Sequence, residues 1–396
     1  MFKSIMLRSL VTPDGKIDAG KLAESLVFYG HVHLVMDQGS LSQIASSISI
    51  EILCELVDEG RLELDCIRDA LVVRTDTTAG LAKHSFAKVN QFKTADNKVA
   101  TDEVILNRAL IRAFGTLPRQ RLRRSLMDRI RFRSISTKDT ASANVGVATM
   151  ADLRDAYYVE RAARAAVLGW VPNFNMAPNS HFRLLEVGNQ YLVDTNYDYD
   201  AITAAYRVDA PASDTKIDSA LILASIQDAV GDLALAADYS CEIYTSPWCS
   251  NLMQTKLNTI ANRSKESRDQ IALFESLALD RSPAIAETIN SGERLFAEII
   301  PVLHRADQFK KWINEIQEDK GLVKEYFDSI RADSWLDSMP VKILRFALTY
   351  KLGALLIGWK ALGFAAADAF LIDPLLKGWR PDQFIDQTVA PFVRRD

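Results

Sequence analysis

The chain is poor in the residues and spacings from which recognisable active sites are built. It has four cysteines in 396 residues. Cys54, Cys66, Cys241 and Cys249 contain no CxxC pair, which excludes a small disulfide scaffold and points to reduced thiols in a cytoplasmic protein. The seventeen glycines are scattered, with no P-loop, no Gly-rich dinucleotide turn and no GxSxG. The five histidines form no HExxH. No catalytic residue, cofactor or small-molecule ligand can be named from motifs of this kind. Lys3 and Arg8 interrupt the first apolar stretch and Pro13-Asp14-Gly15 ends it, so a secretory leader is not expected. Charge of one sign is lacking too: 47 basic against 51 acidic residues leave −4, which excludes a polyanion binder acting through its whole surface. What remains is an ordinary globular composition, 48% hydrophobic and 25% charged, long enough for two or three domains.

Periodicity supplies the organisation. Val32–Met36 reads as a short buried strand after Gly30. Leu41–Val57 carries Leu41, Ile44, Ala45, Ile48, Ile52 and Leu56 at helical spacing. Leu62, Leu64 and Cys66 alternate with charged residues as in a strand, and Thr75–Gly80 reads as loop. Glu103–Phe114, Leu122–Ile130 and Met150–Val167 read as helices. Phe182–Leu192, with Gly188-Asn189 at its centre, reads as a β-hairpin. Beyond the connector Asp209–Asp214 the pattern is helix after helix, from Ile217–Ala237 onward, with prolines at the junctions. The expectation is an α+β fold, predominantly α. A mixed part with a few short strands and a hairpin (1–210) precedes an all-helical part (211–396) that ends in an apolar helix or hairpin.

Two spacings suggest ligands. His31-Val32-His33 puts both imidazoles on one side of a strand, because side chains alternate with period two. An HxH at such a place resembles the opening of metallohydrolases of the amidohydrolase type, over three residues. The resemblance implies a metal bound by His31 and His33, with Asp37 nearby and His84 or His181 brought in by the fold. The eight βα units of such a barrel are not present in the helical second half. Asp194, Asn196, Asp198 and Asp200 alternate like the start of a calcium loop, but Tyr199 and Ala205 stand where glycine and glutamate belong. A solvated strand edge accounts for the same residues.

Two segments stand out by composition. Arg108 to Arg133 holds nine arginines, no lysine and one acid, Asp128. A helix over Arg119–Arg131 would bury Leu122, Leu126, Met127 and Ile130. Arg119, Arg121, Arg123, Arg124, Arg131 and Arg133 would then be left for a protein partner or for phosphate groups, nucleic acid included. Leu352–Ile372 is 21 residues with only Lys360 and Asp368 charged, long enough as a helix to span about 30 Å. The two charges roughly cancel its insertion energy. Leu352, Leu356, Trp359, Phe364 and Phe370 therefore suggest self-association or conditional membrane contact. The resulting expectation is a non-enzymatic cytoplasmic sensor, interaction or effector protein. A metal-dependent hydrolase using the HxH pair and a nucleic-acid-associated protein using the arginines are the alternatives.

Overall fold

The computed structural model describes residues 4–8, 10, 17–78, 81–90, 99–134, 145–188, 190–211, 213–239, 241–263, 284–315, 346–347, 388 and 390–393. Five short strands run parallel: β1 (Ser4–Arg8), β2 (His31–Met36), β3 (Leu62–Ile67), β6 (Ile130–Arg133) and β9 (Glu242–Tyr244). With the antiparallel β10 (Phe346–Ala347) they form a six-stranded sheet in the order β10-β9-β1-β2-β3-β6. Helices flank both faces of the sheet, and β2, β3 and β6 alternate apolar residues on one face with mostly polar or charged residues on the other. Ile5, Leu7, Val32, Leu34, Leu62, Leu64 and Ile130 face one core, shared with α1 (Ala19–Phe28), α2 (Gln38–Ser47), α3 (Ile50–Asp58) and α4 (Asp102–Phe114). Met6, Val35, Ile67 and Ile243 face the other, against α7 (Ala156–Trp170), α9 (Ser219–Tyr239) and α10 (Pro247–Arg263).

That second core continues into an antiparallel sheet of order β4-β5-β8-β7, made of β4 (Asp69–Thr78), β5 (Leu81–Asn90), β7 (Phe182–Val187) and β8 (Gln190–Thr195). The hairpin expected around Gly188 is β7–β8, with Val187 opposite Gln190 and Gly188 at φ +64°, where a side chain would be strained. α9 is apolar on most sides because it lies between the parallel sheet and α6 (Val145–Leu153), α7 and α10. Among the described residues, its Ser219–Ala236 stretch is the one helix long and apolar enough to cross a membrane, and it is mostly buried in the fold.

Local chemistry sets the boundaries. Asp18 caps α1 by accepting from Lys21 N, and Asn290 on α11 (Ala284–Asn290) bonds both Gly20 N and Asp18. Gly20 allows that approach, since a Cβ there would lie 2.0 Å from the Ala286 carbonyl oxygen. The helix expected over Leu41–Val57 is instead α2 and α3, bent by 102°. Ser49 starts the second by accepting from Ile52 N, while Ile48 is extended and buried. The break satisfies the helix-end donors locally and turns both apolar stripes into one core.

The fold class differs from the sequence expectation. The protein is mixed α/β with two sheets, one of them parallel, rather than a predominantly α chain with a few short strands. The region after residue 210 is mostly helical but not all-helical, because β9 enters the parallel sheet beside β1 and β10 pairs with β9. Three residues between a long apolar helix and Pro247 carry no periodicity, so only pairing reveals β9. The helix expected over Arg119–Arg131 is also shorter: α5 (Gln120–Met127) ends before β6, so Arg131 and Arg133 stand on a strand. Leu352, Leu356, Trp359, Phe364 and Phe370 lie outside the described residues.

Candidate metal centre at the amino edge of the parallel sheet

Register assembles the site. His31 and His33 project from β2 toward the face that carries Val35, and His33 pairs with Glu63 on β3. Asp65, two positions on, pairs with Arg131 on β6. Period two therefore sets His31, His33, Glu63, Asp65, Arg131 and Arg133 on one face, near the ends where the parallel strands begin. Tyr239, at the end of α9, closes the face from above: its ring stacks on His33 at 4.4 Å and its hydroxyl donates to Asp65 Oδ2 at 2.7 Å.

The histidines and Glu63 converge. Their ligand atoms lie within 4.8 Å of one another, and this is the one such His/Cys/Asp/Glu group among the described residues. His33 Nδ1 is 3.1 Å from Glu63 Oε2, and His31 Nε2 is 3.3 Å from Glu63 Oε1. His31 Nδ1 lies 2.9 Å from the Gly60 carbonyl, which can only accept, so Nδ1 holds the proton and a neutral ring keeps its lone pair on Nε2. Gly60, at φ +70° just past α3, adopts the left-handed turn that brings this carbonyl to His31. His31 Nε2 is buried and has no hydrogen-bond partner. A lone pair facing a carboxylate oxygen is repelled, and a cation between the two reverses the sign of the contact.

The surroundings favour ligation. Burial, reinforced by neighbouring His31, pushes the His33 pKa down to about 4, against the pull of Glu63 and Asp65. Its ring is neutral and free to coordinate across the physiological range. Burial acts to raise the Glu63 carboxyl, but Arg131, His33 and His31 outweigh it and hold the group below the ordinary carboxylate range. Arg131 is anchored on Asp65 by two bonds, Nε to Oδ1 at 3.0 Å and Nη2 to Oδ2 at 2.8 Å, and Nη2 also donates to Glu63. Arg133 donates to the Tyr239 hydroxyl at 2.7 Å. The side chains of His31, His33 and Glu63 are 28%, 11% and 34% exposed, so the cluster opens to solvent on one side.

The other sequence candidates lie elsewhere. Asp37 caps α2 in a capping box with Ser40, at the opposite end of β2. His84 is buried in the antiparallel sheet between Thr75 and Ser219, 3.0 and 2.9 Å away. His181 sits 3.6 Å from Asp194 on the β7–β8 pair. Around the alternating acids, Asp198 caps α8 (Tyr199–Asp209) and Asn196 bonds the backbone of His181 and Asn179, so their oxygens serve turns. Of the arginines, Arg119, Arg121 and Arg124 are exposed, and Arg123 bonds Asn107 at 3.0 Å.

A second polar cluster occupies the same face at its carboxyl edge, where the strand order reverses between β1 and β9. Open α/β sheets commonly hold ligands at such a point. Arg8 Nε lies 3.2 Å from Asp232 Oδ1, and Thr245 donates to Asp232 Oδ2 at 2.7 Å. Asp228, one helical turn before Asp232, makes no hydrogen bond or ion pair among the described residues. Asp228 is exposed by surface area, yet desolvation by the surrounding protein and the nearby Asp232 carboxylate push its pKa up to about 7, against the opposing pull of Arg8. The sequence signal missed here was a pair of acids four apart inside an otherwise apolar helix. Comparison with known proteins returns no matching family model, no matching curated protein and no matching solved structure.

Proposed function

We propose that the protein is a metal-dependent hydrolase whose ion is held by His31, His33 and Glu63. The observation that carries this reading is the convergence of His31, His33 and Glu63, each offering one ligand atom within 4.8 Å of the others. Two imidazoles and one carboxylate suit zinc, whose catalytic sites take three protein ligands and keep a position for water. Small rotations of the three side chains bring the donors to the separation of about 3.4 Å that tetrahedral zinc requires at its usual bond lengths. The His31 Nδ1–Gly60 bond and the Arg131–Glu63 bond are the outer contacts that orient such ligands. A zinc-bound water ionises near neutrality and attacks an electrophilic centre, which is the reaction this ligand set serves.

Titration calorimetry tests it on full-length protein stripped with a chelator. The expected result is one equivalent of zinc bound, with at least tenfold weaker binding in each of H31A, H33A and E63Q. Zinc binding that is unchanged in all three variants overturns the reading.

A second reading, self-association through the α4–α5 corner, draws on a different observation. Ile111, Phe114 and Leu117 are exposed large apolar side chains beside exposed Arg119, Arg121 and Arg124, a composition favoured at protein interfaces. Sedimentation over a concentration series decides it: self-association that F114D abolishes supports the corner, and a monomer at every concentration removes it.

A further inference from the structure

We infer that the substrate of this centre carries a phosphate dianion, a phosphate monoester, held between the metal and Arg131; the inference rests on the metal reading above. Arg131 stands on the strand next to Glu63 with its guanidinium fixed by Asp65. Its Nε and Nη2 are engaged, whereas Nη1 makes no hydrogen bond among the described residues, and the side chain is 50% exposed. The result is a guanidinium held by Asp65 and Glu63 whose Nη1, without a hydrogen bond among the described residues, is left to donate to a phosphate oxygen.

Charge balance selects the dianion. Without metal, Glu63 and Asp65 offset Arg131 and Arg133, and both histidines are neutral in the ligating state. A divalent ion carrying neutral water leaves the cluster with two positive charges, before that water ionises, in surroundings that Tyr239 and the sheet partly close to water. A neutral ester leaves that excess untouched and a carboxylate removes half of it. A phosphate monoester removes all of it and can place one oxygen on the metal and another on Arg131.

The chemistry balances without a further reactant. Metal-bound water loses a proton to solvent, the resulting hydroxide forms the new P–O bond, and the ester P–O bond breaks. The leaving alkoxide takes a proton from solvent, so the sum is monoester plus water giving alcohol plus inorganic phosphate. Arg131 offsets charge on the non-bridging oxygens as the bond breaks.

The test uses full-length protein loaded with one equivalent of zinc and inorganic phosphate as the probe. Phosphate is expected to bind the zinc-loaded protein at least tenfold more tightly than the stripped protein, and by linkage to tighten zinc by the same factor. At zinc concentrations that saturate each variant, R131Q is expected to weaken phosphate at least tenfold, and R131K, which retains a charge for Asp65, to fall between. With zinc loaded, nitrophenyl phosphate is expected to be hydrolysed at least tenfold faster than nitrophenyl acetate. Zinc that does not bind removes the metal reading and this inference together. Zinc that binds while phosphate is indifferent to it, or a preference for the acetate ester, overturns this inference alone. If R131Q does not fold, R131K and the two esters still decide the matter.

Discussion

Asp65 and Arg131 face each other in register across β3 and β6 and close a two-pronged hydrogen bond, with the carboxylate fully buried and the guanidinium half exposed. This pair is the floor of the candidate centre. It fixes the arginine that reaches Glu63 and receives the hydroxyl of the tyrosine that covers His33.

Replacing Asp65 by asparagine leaves Arg131 with half of its anchor and removes the charge that offsets it in a closed position. Breaking one side of a buried pair costs about 3–5 kcal/mol, and the exposure of Arg131 places this one near about 3 kcal/mol. Urea denaturation of D65N should show that loss. The Arg129–Asp58 pair, although bidentate, is screened by water around the exposed Asp58, and D58N, which spares the bonds of Arg129 to Ser125, should leave the urea midpoint where it is. Equal losses in the two variants would refute the distinction.

Metal binding should also appear as stability. A ligand present at a hundredfold excess over its dissociation constant stabilises the native state by about 2.7 kcal/mol, roughly 2–4 °C in Tm for a chain of this size. A thermal melt with zinc should rise by that amount in wild type and stay flat in H33A. A rise of the same size in H33A would place the ion elsewhere.

At Gly169 the backbone of α7 lies close against α10. A Cβ on Gly169 would lie 2.5 Å from Trp248 Cα and 2.8 Å from its Cβ. The obstacle is another backbone rather than a movable side-chain tip, so the helices must separate. G169A should cost about 3 kcal/mol, the upper end for overpacking, read as a lower urea midpoint. Wild-type stability in G169A would show that the helices can part freely.

Asp228 makes stability depend on pH in a defined direction. Its pKa rises from 3.8 unfolded to about 7 in the fold, so between these values the native state holds a proton that the unfolded chain has released. Stability from this group is therefore full below about pH 4, declines as the pH climbs, and is gone above about pH 7. Asp232 and Arg8 are the charged neighbours that set the shift. D228N mimics the protonated form, so its advantage over wild type should grow from pH 5 to pH 8 in paired urea titrations. The same difference at both pH values would show that Asp228 keeps an ordinary pKa.

How far the site was legible follows from which interactions are local. The pairing of His31 with His33 could be read directly, because alternation along one strand needs no partner. Glu63 could not, since nothing within Leu62–Ile67 says that β3 lies beside β2 in this register. Arg119–Arg131 has a spacing that a helix would satisfy, and pairing with β3 overrides that pattern in its last residues. Asp228 and Asp232 were visible as charges in an apolar helix, but their neighbour Arg8 is more than two hundred positions away in the chain.

By itself, then, the sequence determined the hairpin at Gly188, most helices of the described second half, and an HxH pair on a strand, all of which follow from nearest-neighbour periodicity, turn chemistry and capping. The tertiary structure decided the rest. It joined β2 and β3, legible as strands, with β1 and β6 into one parallel sheet, and admitted a three-residue β9 to it. It also set Glu63, Asp65, Arg131 and Tyr239 around the histidines. The physical reason is that parallel pairing joins segments through long crossovers, so register and burial, rather than any local pattern, choose which side chains meet.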